Sequence, residues 1–430
     1  MRGMGYTDFL ELGSKPKADE LVCTFRLEQD ASVGFDWAAG ALAAESSIGT
    51  WDPGLTTMTG EERQYGARVI KLDEAKKLVW IAYPPALFEA GNLSQLLSSV
   101  VGNVYGLKEV RKLRFVDIEM PASYARSYPG PQLGMEGVRK MTGIHGRPIL
   151  GTIVKPKLGL SSDNWAKAAY NAWKGGIDFV KDDENLTSMV FNNFYDRARK
   201  VMEAKKKAER ETGERKLYFC NVSAPVTEMK KRADFVCNEM GNDYVMIDVL
   251  TVGFSAVQEM RSYLDGKGIG IHAHRAMHGA FSRLEDHGID MLPVSKWIRL
   301  LGADTLHAGT LGAGKMFTEG GKSHAKAIYD MLRGEMHGLK TVFPVASGGM
   351  HPGVIGQVWD ANGGSPDFCA AAGGGVHGNP LGSEAGARAM RQAVEAHQKG
   401  MSPEEYAKTH EELAAAIKRW GTKPVSSAAE

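Results

Sequence analysis

The sequence predicts an α/β fold, a (β/α)8 TIM barrel preceded by an α+β, ferredoxin-like N-terminal domain. From Pro148 onward, short apolar runs alternate with amphipathic helical stretches, the pattern of parallel strands joined by helical crossovers. Eight such runs can be counted, and eight strand–helix units close a barrel. None of them is followed by a GxGxxG turn opening a helix, which argues against an open, doubly wound sheet.

In chain order, Leu21–Phe25 and Leu78–Ala82 are expected as strands of the first domain. Ala38–Ala44 and Leu93–Val101 are expected as helices, the second with Asn92 as N-cap. The Pro- and Gly-rich stretch 124–137 marks the boundary, giving domains at 1–130 and 131–400. The barrel strands are expected at Ile149–Lys155, Asp178–Asp182, Leu217–Val222, Tyr244–Val249, Gly270–Arg275, Thr305–Ala308, Val342–Ser347 and Phe368–Ala372. Helices are expected between them at Trp165–Trp173, Arg197–Glu211, Glu228–Met240, Ser323–Arg333 and Glu384–His397. A helical tail, Pro403–Trp420 within 401–430, completes the chain.

Composition narrows the function classes. The 430 residues include 52 Lys+Arg against 51 Asp+Glu, so no basic surplus points to nucleic acid or an anionic membrane as partner. Cys23, Cys220, Cys237 and Cys369 are scattered without a CxxC pair, as expected of reduced, buried thiols. The start of the chain has no signal-peptide pattern and no apolar run reaches membrane-spanning length, so a cytoplasmic protein is expected.

In a barrel, chemistry gathers at the carboxyl ends of the strands. Here those ends carry Lys155-Pro-Lys157, Lys181-Asp-Asp-Glu184, Asn221, Asp248, His274-Arg275, His307, Ser347-Gly348-Gly349 and Gly373-Gly374-Gly375. A run of four charges is ordinarily a solvated surface, but this one follows the strand pattern Gly176–Val180. Alternation puts Lys181 and Asp183 on one side, with Glu184 just beyond. Two carboxylates with open positions suit a hard cation such as Mg2+. Lys181 either neutralises them or becomes an anion by adding CO2 as a carbamate; the residues alone leave both open. The glycine clusters ending the last two strands make tight turns or bind phosphate through backbone N–H groups, and Arg275 and His307 nearby favour phosphate. His272, two residues before His274, is expected to be a buried structural histidine, and His278 structural or supporting. Lys315, in a glycine-rich loop after the sixth strand, is placed to close as a lid.

Taken together, these motifs resemble the large subunit of ribulose-1,5-bisphosphate carboxylase/oxygenase (RuBisCO) and its superfamily, from the Ala44–Trp51 segment through Gly151–Gly159, Gly175–Asn185, His274–His278 and Ser347–Gly349 to Gly373–Gly375. Asp183–Ser188 and Gly375–Gly378 look most like the archaeal-type (form III) branch, which needs no small subunit. The resemblance implies a Mg2+-dependent carboxy-lyase working through a metal-bound enediolate of a phosphorylated keto sugar. It implies that a carbamate on Lys181, with Asp183 and Glu184, holds Mg2+ and takes the C3 proton of the substrate. Lys155 would assist proton transfer and Lys157 would support the metal-bound oxygens. Arg275, His307 and Ser347 would hold one phosphate, and Thr50, Trp51, Gly349, Gly373 and Gly374 the other, with Gly348 in the same turn. His274 would meet the substrate hydroxyls, Asn103 would lie beside the metal, and Lys315 with Glu45 would close over CO2. The resemblance further implies a homodimer or higher homo-oligomer whose subunits share active sites.

One feature points to a second activity. After Lys315 the chain continues Met316-Phe317-Thr318, where carboxylases usually have Leu/Met-Glu-Gly. The alternative is therefore a RuBisCO-like protein that decarboxylates or hydrolyses a phosphorylated 3-oxo sugar acid.

Overall fold

The computed structural model describes residues 5–49, 60–312 and 321–423. The chain divides into two compact units, Met1–Tyr128 with Met277–Leu300, and Pro129–Ala276 with Leu301–Glu430.

The first unit runs β1 (Leu21–Gln29), α1 (Phe35–Glu45), β2 (Arg68–Asp73), β3 (Leu78–Tyr83), α2 (Leu93–Val100) and β4 (Val110–Glu119). β1 pairs antiparallel with both β3 and β4, and β2 with β3, so the order β4-β1-β3-β2 gives a ferredoxin-like sheet. α1 buries a face of small residues, Ala38, Ala39, Ala41, Ala43 and Ala44, together with Leu42. At Gly40 a Cβ would stand 2.0 Å from the Tyr6 carbonyl oxygen, so only glycine permits this approach. As expected, Asn92 caps α2, its side chain accepting from the Gln95 amide at 3.1 Å.

A fifth strand, β10 (Gly288–Ile289), pairs parallel with β4. It belongs to Met277–Leu300, which the sequence assigns to the barrel domain but which packs with the N-terminal unit. The reason is local chemistry. Trp297 stacks on Phe115 at 5.6 Å, Arg114 pairs with Asp290 at 3.2 Å, and Lys296 reaches Asp117 at 2.6 Å.

The second unit is a closed parallel barrel. Its strands are β5 (Ile149–Ile153), β6 (Phe179–Lys181), β7 (Leu217–Asn221), β8 (Tyr244–Asp248), β9 (Gly270–His274), β11 (Thr305–His307), β12 (Phe343–Ser347) and β13 (Cys369–Ala371). All eight expected strands are present. Their inward residues alternate along each strand and fill the interior. Ile149, Ile153, Phe179, Leu217, Phe219, Tyr244, Met246, Phe343, Val345, Cys369 and Ala371 form one buried cluster, joined by Val138 of the helix Gly134–Thr142. Phe179, Phe219 and Tyr244 stack in sequence, each ring 4.5 Å from the next. Gly151 makes this possible, because a Cβ there would lie 1.9 Å from the Phe179 ring. The tail forms two helices, Pro403–Ala407 and Glu411–Trp420, where one was expected. The second docks by its first turn, with the Leu413 amide donating to Gln392 Oε1 at 3.0 Å.

All four cysteines are free and buried. Among the described residues no helix is long and apolar enough to cross a membrane.

The start of β6 is held by a buried carboxylate. Asp178 accepts from both ends of Arg147 at 2.7 and 2.8 Å, from Arg391 at 2.8 Å and from the Leu150 amide at 2.7 Å. Burial pushes its carboxyl up, but Arg391 and Arg147 outweigh this and hold it below the ordinary aspartate range. A carboxylate depressed in the folded state stabilises above its unfolded pKa, and that stabilisation is lost as pH falls through the folded value. Asp178→Asn should therefore cost about 3–5 kcal/mol at neutral pH. The gap to wild type should shrink on acidification, as read by denaturant titration across pH.

Candidate active site

The alternation that fills the barrel also builds its mouth. On β6, Phe179 faces the interior cluster, so Lys181 shares that face, and Asp183 continues it. On β5, Lys155 follows Ile153, which is paired in register with Lys181. Lys155 Nζ meets Asp183 Oδ2 at 3.0 Å, and Lys181 Nζ lies 3.7 Å from Glu184 Oε2. On β9, His274 sits two residues beyond the inward His272, and its Nε2 is 3.5 Å from the same Glu184 oxygen. Its Nδ1 is 3.0 Å from Asp248 Oδ1, which ends β8. Lys157 Nζ donates to Asn185 Oδ1 at 2.8 Å, at the rim. Five expected residues thus come together in two sets, Lys155–Asp183 and Lys181–Glu184–His274.

Electrostatics divides their roles. Lys181 is fully buried, and burial pushes its ammonium below the ordinary lysine range against the opposing pull of Glu184, Asp183, Asp248 and Asp182. Glu184 is half-buried; burial raises its pKa, but His274 and Lys181 outweigh this and hold the carboxyl below the usual range. The Lys181 amine also donates to the Asp182 carbonyl at 2.8 Å, which fixes its direction.

Asp182, between the two inward residues, points outward and is buried. Its carboxylate accepts from Tyr218 Oη at 3.0 Å, from Arg197 Nη2 at 3.2 Å and from the Asn221 amide at 2.9 Å. Arg197 lies on the helix Phe194–Thr212; burial opposes its charge, but Asp182 outweighs burial and keeps it protonated. Asn221 Nδ2 in turn reaches the Glu184 carbonyl at 3.2 Å. This clamp is what turns a tetrapeptide of charges into a defined arrangement. The sequence lists Asn221 and Asp248 among the strand ends, but nothing in it singles out Arg197 or Tyr218. The one signal available is that alternation must turn Asp182 away from the mouth, where a buried carboxylate needs a cation.

On the far side of the mouth, His307 Nδ1 is 2.5 Å from Ser347 Oγ, and the His307 and His274 rings are 4.6 Å apart. Arg275 follows His274 directly; burial above all, and then the neighbouring His274, His272, Lys181 and Arg275, pushes His307 well below the ordinary histidine range. Gly348 and Gly349 both take left-handed φ values, 92° and 93°, that side chains rarely adopt. At Gly373 a Cβ would stand 2.9 Å from Lys155 Cε, so glycine there admits the lysine. Gly374 opens the short helix Gly374–His377. Glu45 ends α1, and Asn103 opens a 3-10 turn, Asn103–Gly106; both belong to the N-terminal unit. Thr50, Trp51 and Lys315 lie outside the described residues.

The donor chemistry fits a hard divalent cation with one qualification. Among the described residues no three His, Cys, Asp or Glu side chains gather into a metal-binding group. Asp183 and Glu184 supply two carboxylates, and a hard cation would draw its remaining oxygen ligands from elsewhere. Lys181 stands beside Glu184 and is biased toward the neutral amine that CO2 requires.

A closed parallel barrel whose strand ends gather lysines, carboxylates, histidines and glycine turns has the build of a barrel enzyme. The family model for the ribulose bisphosphate carboxylase large chain matches in both parts, the N-terminal domain over residues 8–124 and the catalytic domain over 134–420. The ribulose bisphosphate carboxylase of Methanosarcina barkeri is 43% identical over 427 residues, covering 96% of this chain and 99% of its own. That of Pyrococcus abyssi is 44% identical over 418 residues, covering 97% of each. Among solved structures, the sulfate complex of octameric RuBisCO from Pyrococcus horikoshii superposes with a TM-score of 0.93 at 42% identity over 98% of each chain. The dimeric archaeal RuBisCO from Hyperthermus butylicus gives 0.89 at 41% identity, covering 97% of this chain and 99% of its own. The chain belongs to the RuBisCO large-chain family, and its enzyme class is that of a carboxy-lyase.

The clamp beneath the mouth makes a direct prediction. Asp182→Asn keeps the shape but leaves Arg197 as a buried, uncompensated charge, at a cost of about 3–5 kcal/mol. Chemical denaturation should show this loss, whereas Asn185→Ala, at the rim, should change stability by less than about 0.5 kcal/mol.

Proposed function

We propose that this chain carboxylates ribulose 1,5-bisphosphate. The observation that carries the proposal is the pair Lys155–Asp183 beside the set Lys181–Glu184–His274 at one barrel mouth. Similarity to carboxylases along 96% of the chain supports CO2 addition over CO2 release.

Lys181 Nζ, fully buried and biased toward its free amine, adds CO2 and loses a proton to give a carbamate. Its new oxygens, with Asp183 and Glu184, would hold Mg2+. When bound, the cation supplies Lewis-acid stabilisation of negative charge developing on substrate oxygens, worth several kcal/mol.

The chain's own groups do the rest. Lys181 accepts the C3 proton on its carbamate oxygen, which leaves the substrate as an enediolate. His274, set between Glu184 and Asp248, holds the neighbouring hydroxyls. Lys155 Nζ, now resting on Asp183, delivers a proton to the carbanion left when the carboxylated chain is cleaved by water. Lys157 supports the polar oxygens at the rim. Arg275, His307 and Ser347 hold one phosphate. Gly349, Gly373 and Gly374 hold the other through backbone N–H groups, together with Thr50 and Trp51. Lys315 and Glu45 close over CO2, with Asn103 beside the cation. The active assembly is a homodimer or a larger homo-oligomer, without a small subunit. The octameric and dimeric archaeal relatives support that assembly.

Incorporation of radiolabelled CO2 into acid-stable product, with Mg2+ and ribulose bisphosphate after preincubation with CO2, is the deciding assay. No incorporation by the folded chain sinks the proposal. Lys181→Ala should lower turnover by about 10²–10⁴-fold, the usual worth of a positioned base. Mg2+ with bicarbonate should raise the melting temperature of wild type and leave that of Asp183→Asn unmoved, because only a state that binds the cation is stabilised by it.

A further inference from the structure

Behind the mouth lies a chain of hydrogen bonds that includes two residues the mechanism above does not use, His272 and Thr305. His272 Nδ1 is 2.8 Å from Thr305 Oγ1, and His272 Nε2 is 3.0 Å from His307 Nε2. His307 Nδ1 is 2.5 Å from Ser347 Oγ. The four side chains therefore form a single file from the barrel interior to the mouth. Both histidines are buried, and Phe219 stacks on His272 at 4.7 Å, so the rings have no room to turn. Burial pushes both imidazoles well below the ordinary histidine range, so each is neutral, with one N–H and one bare nitrogen.

Neutral rings facing each other through Nε2 can share only one hydrogen, and that choice sets every other bond in the file. In the outward arrangement Thr305 donates to His272, His272 Nε2–H donates to His307, and His307 Nδ1–H donates to Ser347. The Ser347 hydroxyl hydrogen is then free to point into the mouth. In the inward arrangement each bond reverses. Ser347 donates to His307 and turns only lone pairs toward the mouth. An unprotonated phosphate oxygen is purely an acceptor and repels the inward form.

We propose that His272 and Thr305 are positioning residues for anion binding, coupling the direction of the Thr305–His272–His307–Ser347 file to occupancy of the phosphate site at Ser347. The proposal rests on the assignment of Ser347 to that site. It gives His272, about two side chains away from any phosphate, a role beyond packing: its tautomer reports on, and is set by, a ligand it never touches. The same four hydrogens are present in both arrangements: each imidazole carries its hydrogen on the other ring nitrogen, and each hydroxyl is rotated.

The test uses the full-length chain labelled with 15N at histidine, titrated with inorganic phosphate, with His272 and His307 signals assigned from single-site variants. With phosphate bound, His272 should carry its hydrogen on Nε2 and His307 on Nδ1. If His272 holds its hydrogen on Nδ1 in the phosphate-bound protein, the file does not couple and the proposal is overturned. Ser347→Ala separates this from the assignment it rests on. If that variant binds phosphate as tightly as wild type, the phosphate site itself is misassigned and the proposal falls with it. If binding weakens and the His272 signals no longer respond to phosphate, coupling through Ser347 stands. Thr305→Val supplies a functional readout. A bare Nδ1 beside a methyl group is tolerated better than a buried N–H without an acceptor. The variant should therefore hold His272 in the Nε2–H form even without phosphate, and its KM for the bisphosphate should be no higher than that of wild type. A KM raised with His272 still on Nδ1–H would mark a merely structural hydroxyl.

Discussion

Strand β6 is only three residues long, and both of its flanks are buried aspartates gripped by arginines. Asp178 enters the strand under Arg147 and Arg391, and Asp182 leaves it under Arg197 and Tyr218. So short a strand has few ladder hydrogen bonds to fix its register, and a slip of one residue would turn Lys181 and Asp183 away from the mouth. The paired carboxylates remove that freedom, because each finds its cation in only one register. Everything at the mouth inherits this: the approach of Lys155 to Asp183, of Lys181 to Glu184, and of His274 to both Glu184 and Asp248.

The arrangement sets out two uses of buried charge. Asp178 and Asp182 are fully compensated and structural, facing the helices outside the barrel. Lys181 is buried on the inner face with a ring of carboxylates around it and is biased toward its neutral form. The histidines beyond it, His272 and His307, are neutral through burial and carry direction without charge. A barrel interior filled with Phe179, Phe219 and Tyr244 supports all of these from below, keeping water out of a layer whose polar groups depend on one another.

Much of this was legible in the sequence, because strand period and strand-end chemistry are local. Each of the eight barrel strands announces itself as a short apolar run, and six of them end on a polar residue: Lys181, Asn221, Asp248, His274, His307 and Ser347. The first-domain strands β2 and β4 were missed for the opposite reason: Lys71, Arg111, Lys112, Arg114 and Asp117 interrupt their apolar pattern. In β4 the charges are answered by partners far along the chain, among them Asp286, Asp290 and Lys296, which no local window can reveal. The same limit hid the Asp182 clamp. Arg197 looked like one more charge on a helix rich in lysine and arginine, yet it is fully buried. Pairwise contacts between distant residues decided both cases.

The excursion of Met277–Leu300 into the N-terminal sheet bears on how the protein is made. A ribosome releases the ferredoxin-like unit long before it releases β10, so the outer edge of β4 waits unpaired while more than half of the barrel is still being synthesised. During that interval Arg111, Lys112 and Arg114 stand along the nascent strand as charges that discourage pairing with another chain. Lys112 and Arg114 meet these acidic partners only when Asp286 and Asp290 emerge, whereas Arg111 lies 3.7 Å from Glu28 of β1. The charges that obscured β4 in the sequence thus act as a chaperone written into the edge it protects.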